Sequence, residues 1–209
     1  MLLDADDAQL VLVDYQTRLM PVIFENELVI ANAVRLARMA QALQIPVWAT
    51  EQSPDKLGPN VDAVRAAVES AGGRTLAKAH FSAVADGLGE WLRPPARKST
   101  QGGNARSMPK HLQKAAPEPE EGRSTIVIAG CEAHVCLMQT ALDLLDDEFE
   151  VWVVTDACSS RTERNRDAAF DRLAGNGAEL VTTEMVAFEW LRTAEHEAFS
   201  ELLKLVKQG

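Results

Sequence analysis

Cysteine is scarce in this chain: 3 residues in 209. An odd, small number cannot build a disulfide framework, so free thiols are expected and one stays open for chemistry. Histidine is nearly as rare, with 4 residues, and neither His80 nor His111 stands in an HxH or HxxH pair. Cys131, Glu132, His134 and Cys136 would crowd four ligands into one short turn, which is poor geometry for a tetrahedral metal site. No metal and no other cofactor is expected. Positive charge is also short, with 21 Lys and Arg against 31 Asp and Glu and a formal charge of -10. That balance counts against nucleic acid or an anionic membrane surface as partner, since both need a basic footprint. The loose run Arg93, Arg97 and Lys98 sits beside prolines and reads as a solvated loop. No apolar stretch approaches the ~20 residues that span a bilayer. The first ten residues, "MLLDADDAQL", hold aspartates and no basic region, so they do not read as a secretory signal and a cytoplasmic location is expected. GxGxxG, GxxxxGK[ST] and GxSxG are all missing, which withholds support from nucleotide binding and from a serine-hydrolase elbow.

What is present is an ordered alternation. "AQLVLVDY" (8–15) is a short apolar run, as a buried parallel strand would be. A helical pattern over 27–44 follows, with Val29, Ala33, Leu36, Ala40 and Leu43 at three- and four-residue steps. "PVWATEQ" (46–52) predicts a second strand, then a Pro- and Gly-marked loop, a helix over 61–70 and a brief strand ending near Lys78. "STIVIAG" (124–130) is a third clear strand. The helix over 134–147 should bury Val135, Met138, Leu142 and Leu145. "FEVWVVTDA" (149–157), a capped helix over 159–178, "ELVTT" (179–183) and C-terminal helices complete the pattern. Strands alternating with helices of this length predict an α/β fold: a three-layer α/β/α sandwich on a mostly parallel, Rossmann-like sheet. The length suits a single domain over 1–209. The one break is the stretch 93–123, which carries five of the nine prolines and reads as a surface excursion, an oligomer contact or a lid.

In such a sheet, ligands bind beyond the carboxyl ends of the strands. Those ends deliver Asp14, Gln16, Glu51, Gln52, Lys78, the 130–136 stretch and Asp156. Cys136 falls in the first turn of its helix, where free N–H groups and the helix dipole favour a thiolate and hold an oxyanion. Asp14 suits a general base. Lys78 suits a cation that holds the carboxylate and lowers the thiol pKa further. From spacing alone the stronger reading of Cys136 is a small buried hydrophobe. His134 lies two residues from Cys136 on the helix, so a Cys–His dyad is disfavoured and the ring is expected to face substrate or solvent. Cys158 reads as structural, and Asp156 as the cap of the helix that follows it.

Taken together, "LVLVDYQ", "TEQ…LGP", "LAKAHFSAV", "GCEAHVCLMQTALDLLD" and "VWVVTDACSSR" resemble the isochorismatase-like cysteine hydrolases, and within them the isochorismatase domain-containing proteins. The similarity is collinear from about 8 to 206, interrupted mainly at 93–123. It implies a hydrolase with an Asp–Lys–Cys triad, which by motif is Asp14, Lys78 and Cys136. It also implies a cis peptide between Cys131 and Glu132, turning the Glu132 and Cys136 amides into an oxyanion hole. Gln16, Gln52, Phe81 and His134 are the candidate substrate-binding residues.

Two departures refine this. Family members acting on nicotinamide carry a histidine metal site after the second strand, and "TEQSPDKLGPN" has no histidine. Those cleaving the vinyl ether of isochorismate lack the cysteine. The expectation is therefore hydrolysis of a small amide-type C–N substrate through a thioester, without cofactor. A non-catalytic protein-binding module on the same scaffold, or ether or ester hydrolysis, stays open. The resemblance also implies a homo-oligomer, dimer or tetramer, and Leu202, Leu203 and Leu205 offer an apolar helical face for it.

Overall fold

The computed structural model describes residues 1–93 and 122–207. Six strands, β1 (Ala8–Val13), β2 (Val47–Gln52), β3 (Arg74–Lys78), β4 (Thr125–Gly130), β5 (Glu150–Val154) and β6 (Glu179–Val181), pair in the order β3-β2-β1-β4-β5-β6. Every pairing is parallel. β1 and β4 lie at the centre and every residue of both is buried, which is why they read as unbroken apolar runs. Gln9 is the exception in β1. Its amide donates to the carbonyls of Leu92 and Arg123 and accepts from the Trp48 indole.

Helices cover both faces, giving the expected three layers. On one face α1 (Asn26–Ala42) meets α3 (Asp62–Ser70), α7 (Thr183–Leu191) and α8 (Phe199–Val206); on the other, α5 (Met138–Asp146) packs beside α6 (Glu163–Gly175). Two short helices, α2 (Pro54–Leu57) and α4 (Leu88–Leu92), lie in the connections. The chain winds outward from β1 through β2 to β3, then returns to the centre at β4 and winds the other way. The crevice where that reversal occurs, between the ends of β1 and β4, is where ligands bind in open parallel sheets.

Several local expectations need correction. Strand β1 stops at Val13, two residues early, because Asp14 takes a left-handed conformation with φ of 55°. The helix read over 134–147 begins with a wide turn, Ala133–Leu137, before regular geometry starts at Met138. That wide turn holds an extra residue, which rotates the following helix. The buried face is therefore Leu137, Thr140, Ala141 and Leu144, while Val135, Met138, Leu142 and Leu145 are only half-buried at its margin. Of the three leucines offered as an oligomer face, two are spent internally and Leu203 is only partly buried. Leu202 and Leu205 are buried, in a helix packed on α1 and α7. Residues 94–121 lie outside the described residues, and with them the readings of the 93–123 stretch as excursion, contact or lid.

Candidate active site

The register of the sheet assembles the site. Val13 pairs with both Thr50 and Gly130, and Gln52 pairs with Lys78, so the ends of four adjacent strands align at one edge. β1 and β4 approach closely there. A Cβ on Gly130 would stand 2.5 Å from the Val13 carbonyl oxygen, so only glycine fits. The next residue, Cys131, donates its N–H to that same carbonyl at 2.9 Å.

Asp14 and Lys78 form a fully buried ion pair, with Lys78 Nζ 2.8 Å from Asp14 Oδ2. The other carboxylate oxygen, Oδ1, accepts from the Thr50 hydroxyl at 2.7 Å. The ammonium donates also to Gln52 Oε1 at 2.8 Å and to the Phe81 carbonyl at 3.1 Å. A buried pair of this kind is tolerable where most of its hydrogen-bonding capacity is filled, as it is here by Thr50, Gln52 and the Phe81 carbonyl. The ammonium meets Oδ2 outside aligned hydrogen-bond geometry, which leaves a lone pair of that oxygen for another donor.

The Cys136 thiol, 6% exposed, lies within side-chain reach of both Asp14 and Lys78. Its protonation state departs from expectation. Burial and then the Asp14 charge push the thiol up to about 12, more than Lys78 lowers it. The resting group is a thiol beside a carboxylate, not a preformed thiolate, because desolvation penalises the anion. Cys158 is pushed up to about 12 too, chiefly by burial, and burial also pushes Cys131 well above its ordinary value. What separates Cys136 from them is its partners.

The remaining expected residues divide. Gln16 is wholly buried, with its amide N–H groups donated to the carbonyls of Gln52 and Gly58 and its oxygen accepting the Gln52 N–H. It braces the β2 end and has no free group for a substrate. Gln52 bridges Lys78 and the Ala79 carbonyl, so it too holds the site together from behind. Phe81, by contrast, is 53% exposed, with its backbone carbonyl accepting from the Lys78 ammonium. His134 is partly exposed, with Nδ1 2.9 Å from the Ser160 hydroxyl and 3.3 Å from Glu132 Oε2.

The bend at 131–132 differs from expectation. The described residues contain no cis peptide, so the Cys131–Glu132 bond is trans. The turn is made instead by Glu132 itself, with φ of -24° and ψ of 102°, and by pairing of Cys131 with Ser159. A trans bond avoids the ~3–4 kcal/mol of a non-proline cis bond, and the Glu132 amide is not turned in the manner foreseen. Asp156 also behaves differently. Its Oδ1 accepts from the backbone N–H and hydroxyl of Thr183, capping α7, whereas α6 is capped by its own Thr162.

Sequence reasoning missed three participants. Thr50 stands opposite Val13, so the strand-end rule that found Glu51 and Gln52 could have included it. Ser160 and Arg161 follow β5 in what read as a helix, and nothing in their spacing revealed that the 159–161 segment lies along the nucleophile turn. There the Glu132 carboxylate takes the Arg161 Nε at 2.6 Å. Among the described residues no three His, Cys, Asp or Glu side chains are grouped as a metal ion would need.

The fold and the site together define a parallel α/β protein with a thiol, a carboxylate and an ammonium converging at the switch point of its sheet. Comparison with known proteins places that class. The isochorismatase domain model matches residues 112–185. Isochorismatase domain-containing protein 2B of Mus musculus is 33% identical over 199 residues, 95% of this chain and 80% of that protein. The Homo sapiens isochorismatase domain-containing protein 2 is 34% identical over 180 residues, 86% of this chain and 73% of its own. Among solved structures, the MAR1 ribonuclease of Caenorhabditis elegans superposes with a TM-score of 0.82 at 26% identity, covering 99% of this chain and 93% of that one. The YcaC gene product of Escherichia coli, an octameric hydrolase of unknown specificity, gives 0.74 at 22% identity, covering 100% and 96%. The chain belongs to the isochorismatase family, and its fold is that family's hydrolase fold.

Proposed function

We propose that the protein is a cysteine-dependent hydrolase of a small amide-type substrate, with Asp14, Lys78 and Cys136 as its catalytic triad. The observation that carries this reading is the buried contact of the Cys136 thiol with a carboxylate that is itself held by an ammonium. A carboxylate in van der Waals reach of water would be an ordinary surface acid. Here Asp14 is fully buried and positioned as the thiol's proton acceptor.

In the first step Asp14 takes the S–H proton as sulfur attacks the carbonyl carbon, so no free thiolate is needed at rest. The oxyanion takes the Cys136 N–H, with Lys78 supplying positive charge nearby. With its peptide trans, Glu132 is left out of that hole. The intermediate collapses by breaking the C–N bond, and the amine leaves with the proton from Asp14. Water then gives a proton to Asp14 and attacks the thioester, and collapse releases the acid and returns the proton to sulfur. The Phe81 ring borders the entrance, and Gln16 and Gln52 fix the geometry from behind.

The substrate is a small molecule on this reading. The net charge of -10 opposes a polyanion such as RNA, although the Caenorhabditis neighbour is a ribonuclease. The test is a panel of small amides, matched esters and an RNA oligomer, offered to wild type and Cys136→Ala. Amide turnover lost in the variant, with an acyl mass captured on Cys136 in wild type, supports the reading. Amide hydrolysis that survives in Cys136→Ala, or cleavage of RNA alone, overturns it. Assembly into a homo-oligomer is part of the proposal, and sedimentation of the purified protein tests it.

A further inference from the structure

The carboxylate of Glu132 is unaccounted for by the triad. It sits one residue beyond Cys131, whose N–H is bonded to the residue preceding Asp14, and it immediately precedes the wide turn that bears Cys136. The residue is 8% exposed. One oxygen, Oε1, is engaged by the Arg161 Nε at 2.6 Å. The other, Oε2, is buried and has no hydrogen-bond donor. His134 Nδ1 lies 3.3 Å from it and also 2.9 Å from the Ser160 hydroxyl. A buried carboxylate oxygen without a donor is costly, and native structures keep such groups where something else completes them. His134 and Arg161 are both partly exposed, so the cluster opens to the surface rather than being sealed in the core.

We propose that Glu132 Oε2 is the acceptor for a substrate N–H, and that the Glu132–Arg161–His134 cluster selects substrates bearing at least one N–H next to the scissile carbonyl. The proposal rests on Cys136 being the nucleophile and assigns what that site reads. Primary and N-monosubstituted amides, carbamoyl and ureido groups supply the missing donor. Esters and fully N-substituted amides do not, and leave the oxygen bare. Sites built to hydrogen-bond a substrate group reject analogues lacking it because the protein's own polar atom is then left unpaired. Arg161 fixes the carboxylate through Oε1, so Oε2 is presented in one position.

The test uses covalent labelling, which needs no known substrate and no turnover. Acrylamide, N,N-dimethylacrylamide and methyl acrylate each add to a thiol. The S–C bond forms at the β-carbon, the double-bond pair moves to the α-carbon, and the thiol proton ends there. Labelling rates at Cys136 are measured by intact and peptide mass spectrometry and divided by the rates with free N-acetylcysteine. Wild type should prefer acrylamide over both N–H-free reagents by about tenfold, the usual worth of a hydrogen bond to a charged acceptor. Glu132→Gln should bring the corrected rates to within about twofold of one another. Because the wild-type preference is read without any variant, a misfolded Glu132→Gln protein does not rescue the idea. Labelling of Cys136 with equal corrected rates in wild type overturns the inference and leaves the nucleophile standing. No labelling of Cys136 by any of the three overturns the proposed function itself.

Discussion

Two strand tips flank the centre of the sheet, and each carries an aspartate. At the tip of β1, Asp14 is left-handed and wholly buried, and it holds an ammonium, a threonine hydroxyl and a thiol. Beyond the tip of β5, Asp156 is half-buried, ties α7 to the sheet through Thr183, and borders a cleft with Leu28, Asn32 and Arg35. Each tip also has a cysteine nearby with its thiol pushed up to about 12. Cys136 faces a base and a cation; Cys158 faces neither, and only the Asp156 charge adds to its burial. The two thiols thus differ in their partners and not in their basicity, and on the proposed function those partners are what would make Cys136 the nucleophile.

The sharpest way to break this comparison is to remove each sulfur. Cys136→Ala should lower amide turnover by at least about 10³-fold, as loss of a covalent nucleophile does, while Cys158→Ala should keep turnover within about threefold; steady-state kinetics on one amide decides. The aspartates come next. Lys78→Met leaves a buried carboxylate without its counter-ion and should cost about 3–5 kcal/mol of stability along with activity. Asp156→Ala removes a cap and should cost about 1 kcal/mol with turnover largely kept. Urea denaturation of the two variants side by side measures this, and equal losses would erase the distinction.

A pH titration sharpens the thiol side. Both thiols ionise near 9 in the unfolded chain and at about 12 in the fold. Their contribution to stability is therefore complete below pH 9 and is lost as the pH rises toward 12. Unfolding midpoints should fall over that window, and Cys158→Ala should flatten the fall. Alkylation by iodoacetamide near pH 7 should be slow at both sites without substrate, since neither is a resting thiolate. A Cys136 that alkylates rapidly below pH 8 would restore the depressed-thiol expectation. The smallest effect belongs to Asp7, whose carboxylate caps Ser124 and Thr125 and is held below its usual 3.8 by those bonds despite its partial burial. Its share of stability is present above pH 3.8 and is lost as the pH falls through its lowered value, so Asp7→Asn should reduce the loss on acidification.

Much of this was legible along the chain. Apolar runs at 8–13 and 125–130 require a buried parallel sheet, and its carboxyl edge nominates Asp14, Lys78 and Cys136 without any contact being known. The expectation of substrate binding at Gln16, Gln52 and Phe81 alike does not separate the two engaged glutamines from the exposed ring, because exposure and amide partners are set by neighbouring strands. The helical stripe after Gly130 was misread because a wide turn shifts phase, and an i+3/i+4 count carries no mark of an inserted residue.

Sequence periodicity and composition thus determined the layers, the strand-end candidates and the absence of nucleotide loops, since these depend on local spacing alone. Only the tertiary structure decided that the thiol rests protonated, that Asp156 caps a distant helix, and that Glu132 lies against Arg161 with one oxygen unmet. Each of those depends on burial and on partners far away in sequence, and electrostatic free energy is fixed by both.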